Sequence, residues 1–342
     1  MKEKLFGKTL PELTLITREL GLPLYAAKQL AEWLYHQRIS SLDEMTNISK
    51  KSRALLGESY EVGIHPPVSV QESSDGTRKY LFEPRPGKYI ETAYIPDVNR
   101  STVCVSSQVG CKMGCLFCMT GKQGFQGNLT AGEILNQFRS LPEWEHLTNI
   151  VYMGMGEPLD NLEAVLNSIE ILTSPWGYGL SPRRITVSTI GLTPAIREFL
   201  DHSEAHLAVS LHTPFDEERE QLMPVQKVYP LKEVLEQIRS WDFGRQRRVS
   251  FEYIVFKGFN DSPEHVRELA RILNGIRCRI NLIRFHPIPD TPLESPDEST
   301  LQSFRENLVK KGIRTTIRAS RGEDIYAACG LLSTRQLVKK RN

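Results

Sequence analysis

The chain has no long apolar run, no large net charge and few cysteines. No apolar stretch approaches the length of a membrane helix, so we expect no membrane association. Residues 1–7 lack the apolar segment of a signal peptide. Only six cysteines occur among 342 residues. Because three of them are clustered, they argue for a reducing, cytoplasmic compartment rather than a disulfide scaffold.

Positive charge is concentrated although the net charge is only +2. Residues 305–342 contain ten Lys or Arg against three Asp or Glu, and shorter basic clusters lie at 183–184 and 245–248. Such patches suit a polyanion, with nucleic acid the leading candidate. Solvated helix surfaces and a solvated tail explain them equally well on charge alone.

Three cysteines in a C-x3-C-x2-C run lack a fourth partner. They are Cys111, Cys115 and Cys118, and no Cys or His lies between Cys118 and His146. Structural zinc sites and iron–sulfur clusters normally use four protein ligands, so three leave one metal position open for a substrate. Zinc with a distant ligand and three buried thiols are the alternatives. The dense spacing and soft thiolates favour an open iron–sulfur site.

The chain divides into four segments by pattern. Residues 1–65 show helical periodicity, with a capping-box sequence at 41–44 that predicts another helix. Residues 66–100 predict a β-hairpin connector, and residues 101–320 alternate strand-like and helix-like runs. Residues 321–342 form a C-terminal segment.

The alternation predicts an α/β fold with six βα units, an open barrel short of the eight units that close one. The strand-like runs are 102–107, 149–153, 184–188, 206–211, 249–255 and 279–284, with a late seventh at 314–319. Polar motifs follow several of these strands. Because active sites lie at the carboxyl ends of parallel strands, we expect these motifs to share one face.

A glycine-rich loop follows the second of these strands. In Gly154-Met-Gly156-Glu157-Pro158 the glycines allow a ligand to approach the backbone. Glu157 is placed to accept hydrogen bonds from a ligand ammonium group. Beside an open iron–sulfur site, this loop indicates an amino acid that chelates the open iron while Glu157 holds its amine.

The C-x3-C-x2-C run followed by the Gly-Glu-Pro loop resembles the radical S-adenosylmethionine enzymes. That resemblance implies a partial barrel, a 4Fe–4S cluster and cleavage of S-adenosylmethionine to a 5′-deoxyadenosyl radical. Four further segments, at 91–96, 104–111, 123–125 and 327–330, make the chain similar to the dual-specificity RNA (adenine carbon-2) methyltransferases. The family implies 23S ribosomal RNA and transfer RNA as substrates, residues 1–65 as an RNA-binding domain, a reductant such as flavodoxin or ferredoxin, and a monomer.

The resemblance also implies roles for three residues. Cys329 would accept a methyl group, and the radical formed on that group would add to carbon 2 of adenine. Cys104 would then attack the Cys329 sulfur and release the product through a transient disulfide, which requires Cα atoms within roughly 7 Å. Glu91 matches the proton acceptor. We expect Arg318 and Arg321 to favour the Cys329 thiolate, and Cys278 to be structural.

Contacts to S-adenosylmethionine are likewise implied by the resemblance. The matching residues are Gly156, Glu157, Ser188, Ser210, Leu211, His212 and His286. His286 departs from the family, where many relatives carry Asn, although His can also donate or accept a hydrogen bond. For His212, a strand-end position argues against a satisfied core imidazole.

Two alternatives remain open at this point. A sister family with the same fold, cluster and reactive cysteines methylates carbon 8 of the same ribosomal adenine, and only overall likeness favours carbon 2. A non-catalytic, zinc-containing RNA-binding protein would share the basic patches and the helical N-terminal segment.

Overall fold

A ten-stranded sheet is the framework of the part of the chain that the structure, a computed structural model, describes: residues 2–37, 39–244 and 249–334. The strands are β1 (Glu3–Lys4), β2 (Tyr60–Glu61), β3 (Ser69–Glu72), β4 (Arg78–Arg85), β5 (Lys88–Asp97), β6 (Arg100–Cys104), β7 (Gln108–Val109), β8 (Gly127–Asn128), β9 (Asn149–Tyr152), β10 (Ile185–Thr189), β11 (His206–Ser210), β12 (Val249–Val255), β13 (Cys278–Arg284) and β14 (Thr315–Ile317). The α-helices are α1 (Leu10–Glu19), α2 (Ala26–Ala31), α3 (Lys50–Ser59), α4 (Met119–Gln123), α5 (Ala131–Arg139), α6 (Leu162–Thr173), α7 (Thr193–His202), α8 (Asp216–Leu222), α9 (Leu231–Ser240), α10 (Pro263–Ile272) and α11 (Glu298–Lys310).

Seven parallel strands form the barrel portion of this sheet. They are ordered β6-β9-β10-β11-β12-β13-β14, and helices connect successive members. Helices cover such a sheet, so its strands are largely apolar; all seven residues of β12 are buried. Within the described residues β14 ends one side of the sheet and pairs only with β13. The predicted open barrel of six βα units is confirmed.

The predicted β-hairpin is part of this same sheet. Strands β4 and β5 pair antiparallel as expected, and β5 pairs antiparallel with β6, the first barrel strand. A third strand, β3, that the pattern did not indicate pairs with β4 and ends the sheet. The hairpin and β3 therefore extend the barrel sheet by three strands.

The N-terminal segment is helical, as predicted, and begins with α1. Thr9 caps this helix and Glu12 completes a capping box. The capping box predicted at Ser41 also forms, but it opens only one 3-10 turn, Leu42–Glu44, instead of an α-helix. No helix in the described residues is long and apolar enough to cross a membrane.

The helical segment and the barrel share one apolar core. Leu13 and Leu30 of the N-terminal segment belong to the same buried cluster as Val187 and Phe251 of the barrel. At the junction the backbones of Gly7 and Gly132 are in contact: a Cβ atom on Gly132 would stand 2.2 Å from the carbonyl oxygen of Phe6. Only glycine permits this approach.

The C-terminal segment folds back across the barrel face after β14. A 3-10 turn, Glu323–Ile325, leads into the 327–334 stretch, which lies against α4. The basic cluster at 245–248 and residues 335–342, which carry part of the C-terminal positive charge, lie outside the described residues.

Candidate functional site

The three clustered cysteines lie on one loop between β7 and α4, at the carboxyl end of the first barrel strand. Gly110 and Gly114 have φ values of +73° and +67°, and a Cβ on Gly110 would stand 1.7 Å from the carbonyl oxygen of Gly124. The N–H of Leu116 donates to the carbonyl of Leu222 at 2.9 Å, which ties the loop to α8. This winding brings Cys111, Cys115 and Cys118 into one neighbourhood.

The three thiols match an iron–sulfur cluster in donor type. Burial raises the pKa of Cys111 to about 12 and that of Cys115 well above its usual value, and neighbouring thiols contribute in the same direction. Metal binding removes protons from such thiols. In the described residues no group of three or more His, Cys, Asp or Glu side chains has the spacing of a preformed metal site. The residues fit the cluster by chemistry and by their common loop.

Glu157 is buried and connects the ends of β9 and β10. Its two carboxylate oxygens accept backbone N–H groups from Leu159 at 3.1 Å and Ile190 at 2.9 Å. Burial raises the pKa of Glu157 to about 7, against the lowering effect of these hydrogen bonds. A Cβ on Gly156 would stand 2.5 Å from the Cβ of Gln108, so the loop packs tightly on β7.

The next two strand ends carry Ser188, Ser210 and Leu211. Ser188 and Ser210 are partly exposed, whereas Leu211 is fully buried and its N–H donates to Glu252 O at 3.0 Å. The guanidinium of Arg219 donates to the carbonyl oxygens of Ile190 and Ser210, at 2.7 and 3.2 Å. This buried arginine holds the two strand ends at a fixed separation.

The His212 imidazole is buried and partnered, contrary to the expectation from its strand-end position. Its Nδ1 accepts the N–H of Ile254 at 3.0 Å, and its ring packs edge-on against Phe117 of the cysteine loop at 4.7 Å. Burial lowers the pKa of His212 to about 3, so the ring is neutral. Its φ of +59° turns the chain at the end of β11.

His286 follows β13 and faces the C-terminal segment. Its Nε2 lies 3.1 Å from Ser320 Oγ, and its Nδ1 lies 3.8 Å from the carboxylate of Glu323. The side chain is engaged by residues just ahead of Cys329.

Cys104 ends β6 and packs in a small apolar cluster separate from the main core. Ala93 and Val151 are its register partners on the two flanking strands, and Ala327 completes the cluster. Because Ala327 lies two residues before Cys329, this packing brings the two cysteines together. Burial, followed by the electrostatic effect of Cys329, raises the pKa of Cys104 to about 12. All six cysteines are free thiols.

The segment around Cys329 is hydrogen-bonded to α4, immediately after the last clustered cysteine. Met119 N–H donates to Gly330 O at 2.8 Å, and the Thr120 hydroxyl donates to Leu332 O at 2.7 Å. Gln123 exchanges two hydrogen bonds with Thr334, at 2.7 and 3.1 Å. The side chain of Cys329 remains exposed, beside the loop of Cys118.

The charges around Cys329 match the prediction for Arg318 but not for Arg321. Desolvation by surrounding protein atoms raises its pKa, and the neighbouring Arg318 guanidinium opposes this increase, as predicted. Arg321 instead lies 3.9 Å from the carboxylate of Asp97. Arg318 pairs with the buried carboxylate of Glu252 at 3.0 Å.

Glu91 lies on β5, almost fully buried below the C-terminal segment. One carboxylate oxygen lies 3.2 Å from Lys79 Nζ, and the other accepts Ser333 N–H at 2.9 Å. Burial raises the pKa of Glu91, while Lys79 and Ser333 N–H oppose the increase. Glu91 and Lys79 line a cleft that also includes Gln71, Tyr326 and Leu331.

Four residues that contribute to this site were not predicted from the sequence: Lys79, Arg219, Glu252 and Asn281. Asn281 Nδ2 donates to Glu252 at 2.8 Å inside the barrel. For Glu252 in β12 and Lys79 in β4, the available signal was a charged residue among apolar ones. A charge on a buried strand requires a partner, so each of them indicates an ion pair or a hydrogen bond. The Arg219 position carries no such signal within its charged helix, α8.

The fold and this constellation together define a radical S-adenosylmethionine enzyme. A model described as "Radical SAM superfamily" matches residues 105–271, and one described as "Ribosomal RNA large subunit methyltransferase N-terminal domain" matches residues 4–62. A crystal structure of a radical SAM methyltransferase from Sphaerobacter thermophilus superimposes with a TM-score of 0.90 at 41% identity, over 96% of this chain and 99% of that one.

Proteins with similar sequences show which family of radical S-adenosylmethionine enzymes the chain belongs to. The chain is 58% identical over 337 residues to a probable dual-specificity RNA methyltransferase RlmN of Parabacteroides distasonis, covering 98% of each chain. It is 45% identical to the dual-specificity RNA methyltransferase RlmN of Syntrophus aciditrophicus, covering 97% of each. The chain therefore belongs to the dual-specificity RNA methyltransferases of the radical SAM superfamily, which use a 4Fe–4S cluster and S-adenosylmethionine. Membership removes the alternative of a non-catalytic zinc protein.

Proposed function

We propose that this enzyme methylates carbon 2 of an adenine in 23S ribosomal RNA and of the adenine beside the anticodon in transfer RNA. One observation carries the proposal. Cys329 is exposed on a segment whose neighbouring residues pack beside Cys104, bond to the helix that follows the cysteine loop and bond to Glu91, so groups that are distant in sequence are brought to one region.

The cofactors would be held at the strand ends. Cys111, Cys115 and Cys118 would ligate the cluster, and the strand-end residues Gly156, Glu157, Ser188, Ser210, Leu211 and His212, with His286, would contact S-adenosylmethionine. When bound, the cluster and S-adenosylmethionine supply the methyl group and a hydrogen-abstracting radical. The carboxylate of Glu157 already accepts two backbone N–H groups, so further hydrogen bonds from an ammonium group would use its remaining lone pairs.

The reactive cysteines and Glu91 would act on the RNA. Cys329 accepts the methyl group on its sulfur, and the Arg318 guanidinium beside it favours the thiolate. After the methylene carbon bonds to carbon 2, the unpaired electron left on the adduct would pass to the bound cluster, and Glu91 would remove the proton from carbon 2. Cys104 then attacks the Cys329 sulfur; an S–S bond forms, the C–S bond breaks, and the released carbon takes up a proton to become the methyl group. A cellular thiol would reduce the transient disulfide.

Anaerobic reconstitution with iron and sulfide, incubation with S-adenosylmethionine, RNA and a reduced flavodoxin as electron donor, and mass spectrometry of the digested nucleosides test this function. We expect 2-methyladenine from both a ribosomal fragment and a transfer RNA. Detection of 8-methyladenine in place of 2-methyladenine would assign the chain to the carbon-8 activity. Absence of both products from a preparation with a full complement of iron would contradict the proposal.

Replacement of the resolving thiol gives a sharper test. In Cys104→Ala no thiol can release the RNA from Cys329, so we expect a covalent protein–RNA species that resists denaturation and disappears in the Cys104→Ala, Cys329→Ala double variant. Gel mobility under denaturing conditions measures it. Cys278→Ala is the matched control, because Cys278 begins β13. Normal turnover by Cys104→Ala would remove the resolving role.

The same proposal includes an accessory domain, an oligomeric state, a cellular location and an electron donor. We infer residues 1–65 as an RNA-binding accessory domain, a monomeric enzyme, a cytoplasmic location and an electron donor of the flavodoxin or ferredoxin type. Support comes from the match of residues 4–62 to the ribosomal RNA methyltransferase N-terminal model and from the six free thiols.

A further inference from the structure

Tyr326 is exposed at the rim of the cleft that contains Glu91. Its side chain is 54% exposed, although tyrosine usually covers apolar surface in a folded protein. It lines the same cleft as Gln71, Lys79 and Glu91 and lies three residues before Cys329. A large ring is therefore exposed at the cleft that contains Glu91, on the segment that carries Cys329.

The backbone of Tyr326 has a conformation that disfavours a bulky residue. Its φ and ψ are +55° and +42°, in the left-handed region, where a non-glycine residue is uncommon and an aromatic one is an outlier. Such strain persists only where surrounding structure imposes it, and it is concentrated at functional sites. Glycine or asparagine would occupy this position more easily, so the ring has a use that offsets the strain.

Neighbouring contacts fix the turn that carries the ring. Asp324 accepts hydrogen bonds from Ser73 Oγ at 2.5 Å and Ser74 N–H at 3.1 Å, on the turn between β3 and β4. Ala327 N–H donates to Gly322 O at 2.8 Å, and its side chain is buried beside Cys104. Both sides of Tyr326 are therefore anchored, and about half of the residue is exposed.

We propose that Tyr326 is the stacking platform for the unpaired target adenine, an inference that rests on the proposed function. A base that undergoes chemistry must leave its helical stack, and aromatic side chains replace the lost stacking. The cleft that Tyr326 lines also supplies polar groups: the Lys79–Glu91 pair and Gln71, whose side chain is of the type that reads the edge of adenine. An adenine on Tyr326 would face Glu91 and Cys329 together.

Two substitutions of Tyr326 distinguish the effect of its ring from the effect of its backbone conformation. Tyr326→Phe keeps the ring, whereas Tyr326→Asn removes it and suits the left-handed conformation, so the turn should fold in both variants. Stacking on an aromatic residue changes affinity by roughly 5- to 150-fold per base. We expect Tyr326→Asn to lose kcat/KM for an anticodon stem–loop RNA within that range, mainly through KM, and Tyr326→Phe to retain most of the wild-type value.

A fluorescent probe reports the stacking directly. The same stem–loop carrying 2-aminopurine at the target position binds without turnover, and its emission is quenched when the base stacks on an aromatic ring. We expect quenching with the wild type and Tyr326→Phe, and bright emission with Tyr326→Asn at saturating enzyme. S-methylation of Cys329 from S-adenosylmethionine alone, measured by protein mass, should be equal in all three because it needs no RNA.

The outcomes distinguish this inference from the proposed function. Equal kcat/KM and equal quenching in Tyr326→Asn and wild type would overturn the stacking role while leaving the methyltransferase activity established. A wild type that yields no methyladenine would overturn the proposed function, and the 2-aminopurine measurement would then still decide whether an RNA base stacks on Tyr326. Loss of Cys329 methylation in Tyr326→Asn would show a structural role for the ring and would also contradict the inference.

Discussion

At the scale of single residues, the site depends on buried charges that have few partners. Glu91 is 1% exposed, and its only cationic neighbour at close range in the described residues is Lys79 at 3.2 Å. Burial disfavours the carboxylate and Lys79 favours it, so the balance between them determines whether Glu91 can accept a proton near neutral pH.

Lys79→Met should shift the pH dependence of RNA methylation. The pKa of Glu91 is already above its ordinary value, and removal of the cation raises it further. Since only the ionised carboxylate accepts a proton, activity is lost as the pH falls through this pKa, and the acid limb of the kcat profile should move to higher pH. Rates measured over a pH series in both enzymes test this; Lys112→Met, at an exposed ion pair with Asp160, is the control. An unmoved acid limb would contradict the role of Glu91.

At the scale of elements, the segment that carries Cys329 depends on one short helix. Met119, Thr120 and Gln123 of α4 each bond to the 330–334 stretch, and the same helix follows directly on Cys118. Movement of the cluster loop would therefore move Cys329 with it. Coupling of this kind would keep the proposed radical source and the proposed methyl carrier at a constant separation.

Gln123→Ala should loosen this segment without unfolding the barrel. It removes both hydrogen bonds to Thr334, each typically worth about 0.5–1.5 kcal/mol. Faster deuterium exchange is expected in peptides covering 327–334, together with slower S-methylation of Cys329. Gln123→Glu keeps an oxygen that accepts the Thr334 N–H and should lie between the wild type and Gln123→Ala. Unchanged exchange in Gln123→Ala would show that the other contacts suffice.

At the scale of the whole molecule, the N-terminal segment and the barrel form a single packed body. The contact between Gly7 and Gly132 is backbone against backbone, and Asn136 of α5 exchanges two hydrogen bonds with His65, at 3.0 and 2.9 Å. The proposed RNA-binding domain is consequently held in a fixed orientation relative to the cleft. This arrangement favours substrates in which the target adenine lies at a fixed distance from a structured RNA element.

Gly132→Ala should disturb this junction specifically. The added methyl group would overlap the Phe6 carbonyl, and overpacking of this kind costs about 1–3 kcal/mol. A lower melting temperature and weaker binding of a folded RNA are expected. Gly57→Ala is the matched control: its added Cβ comes no closer than 3.8 Å to Leu42 Cδ1, and alanine favours the α3 helix by roughly 1 kcal/mol. Equal melting temperatures for the two variants would contradict the close packing.

Much of the fold could be predicted because its signals are local. Alternating strand-like and helix-like runs predicted all seven parallel strands, and the spacing of Cys111, Cys115 and Cys118 indicated that one loop carries all three thiols. Strand β3 was missed because all four of its residues are exposed, which removes the apolar alternation that marks a strand. The 3-10 turn at Leu42 was mistaken for a longer helix because a capping box fixes where a helix starts, not its length.

By itself, the sequence determined the order of elements, the cysteine loop and the reactive residues that the family motifs carry. Only the tertiary structure decided the partners: Lys79 for Glu91, Glu252 for Arg318, backbone amides for Glu157, and a neutral, buried state for His212. The physical reason is distance along the chain. Periodicity and spacing act over a few residues, whereas burial and electrostatics depend on which residues packing brings together, as Ala327 brings Cys329 to Cys104.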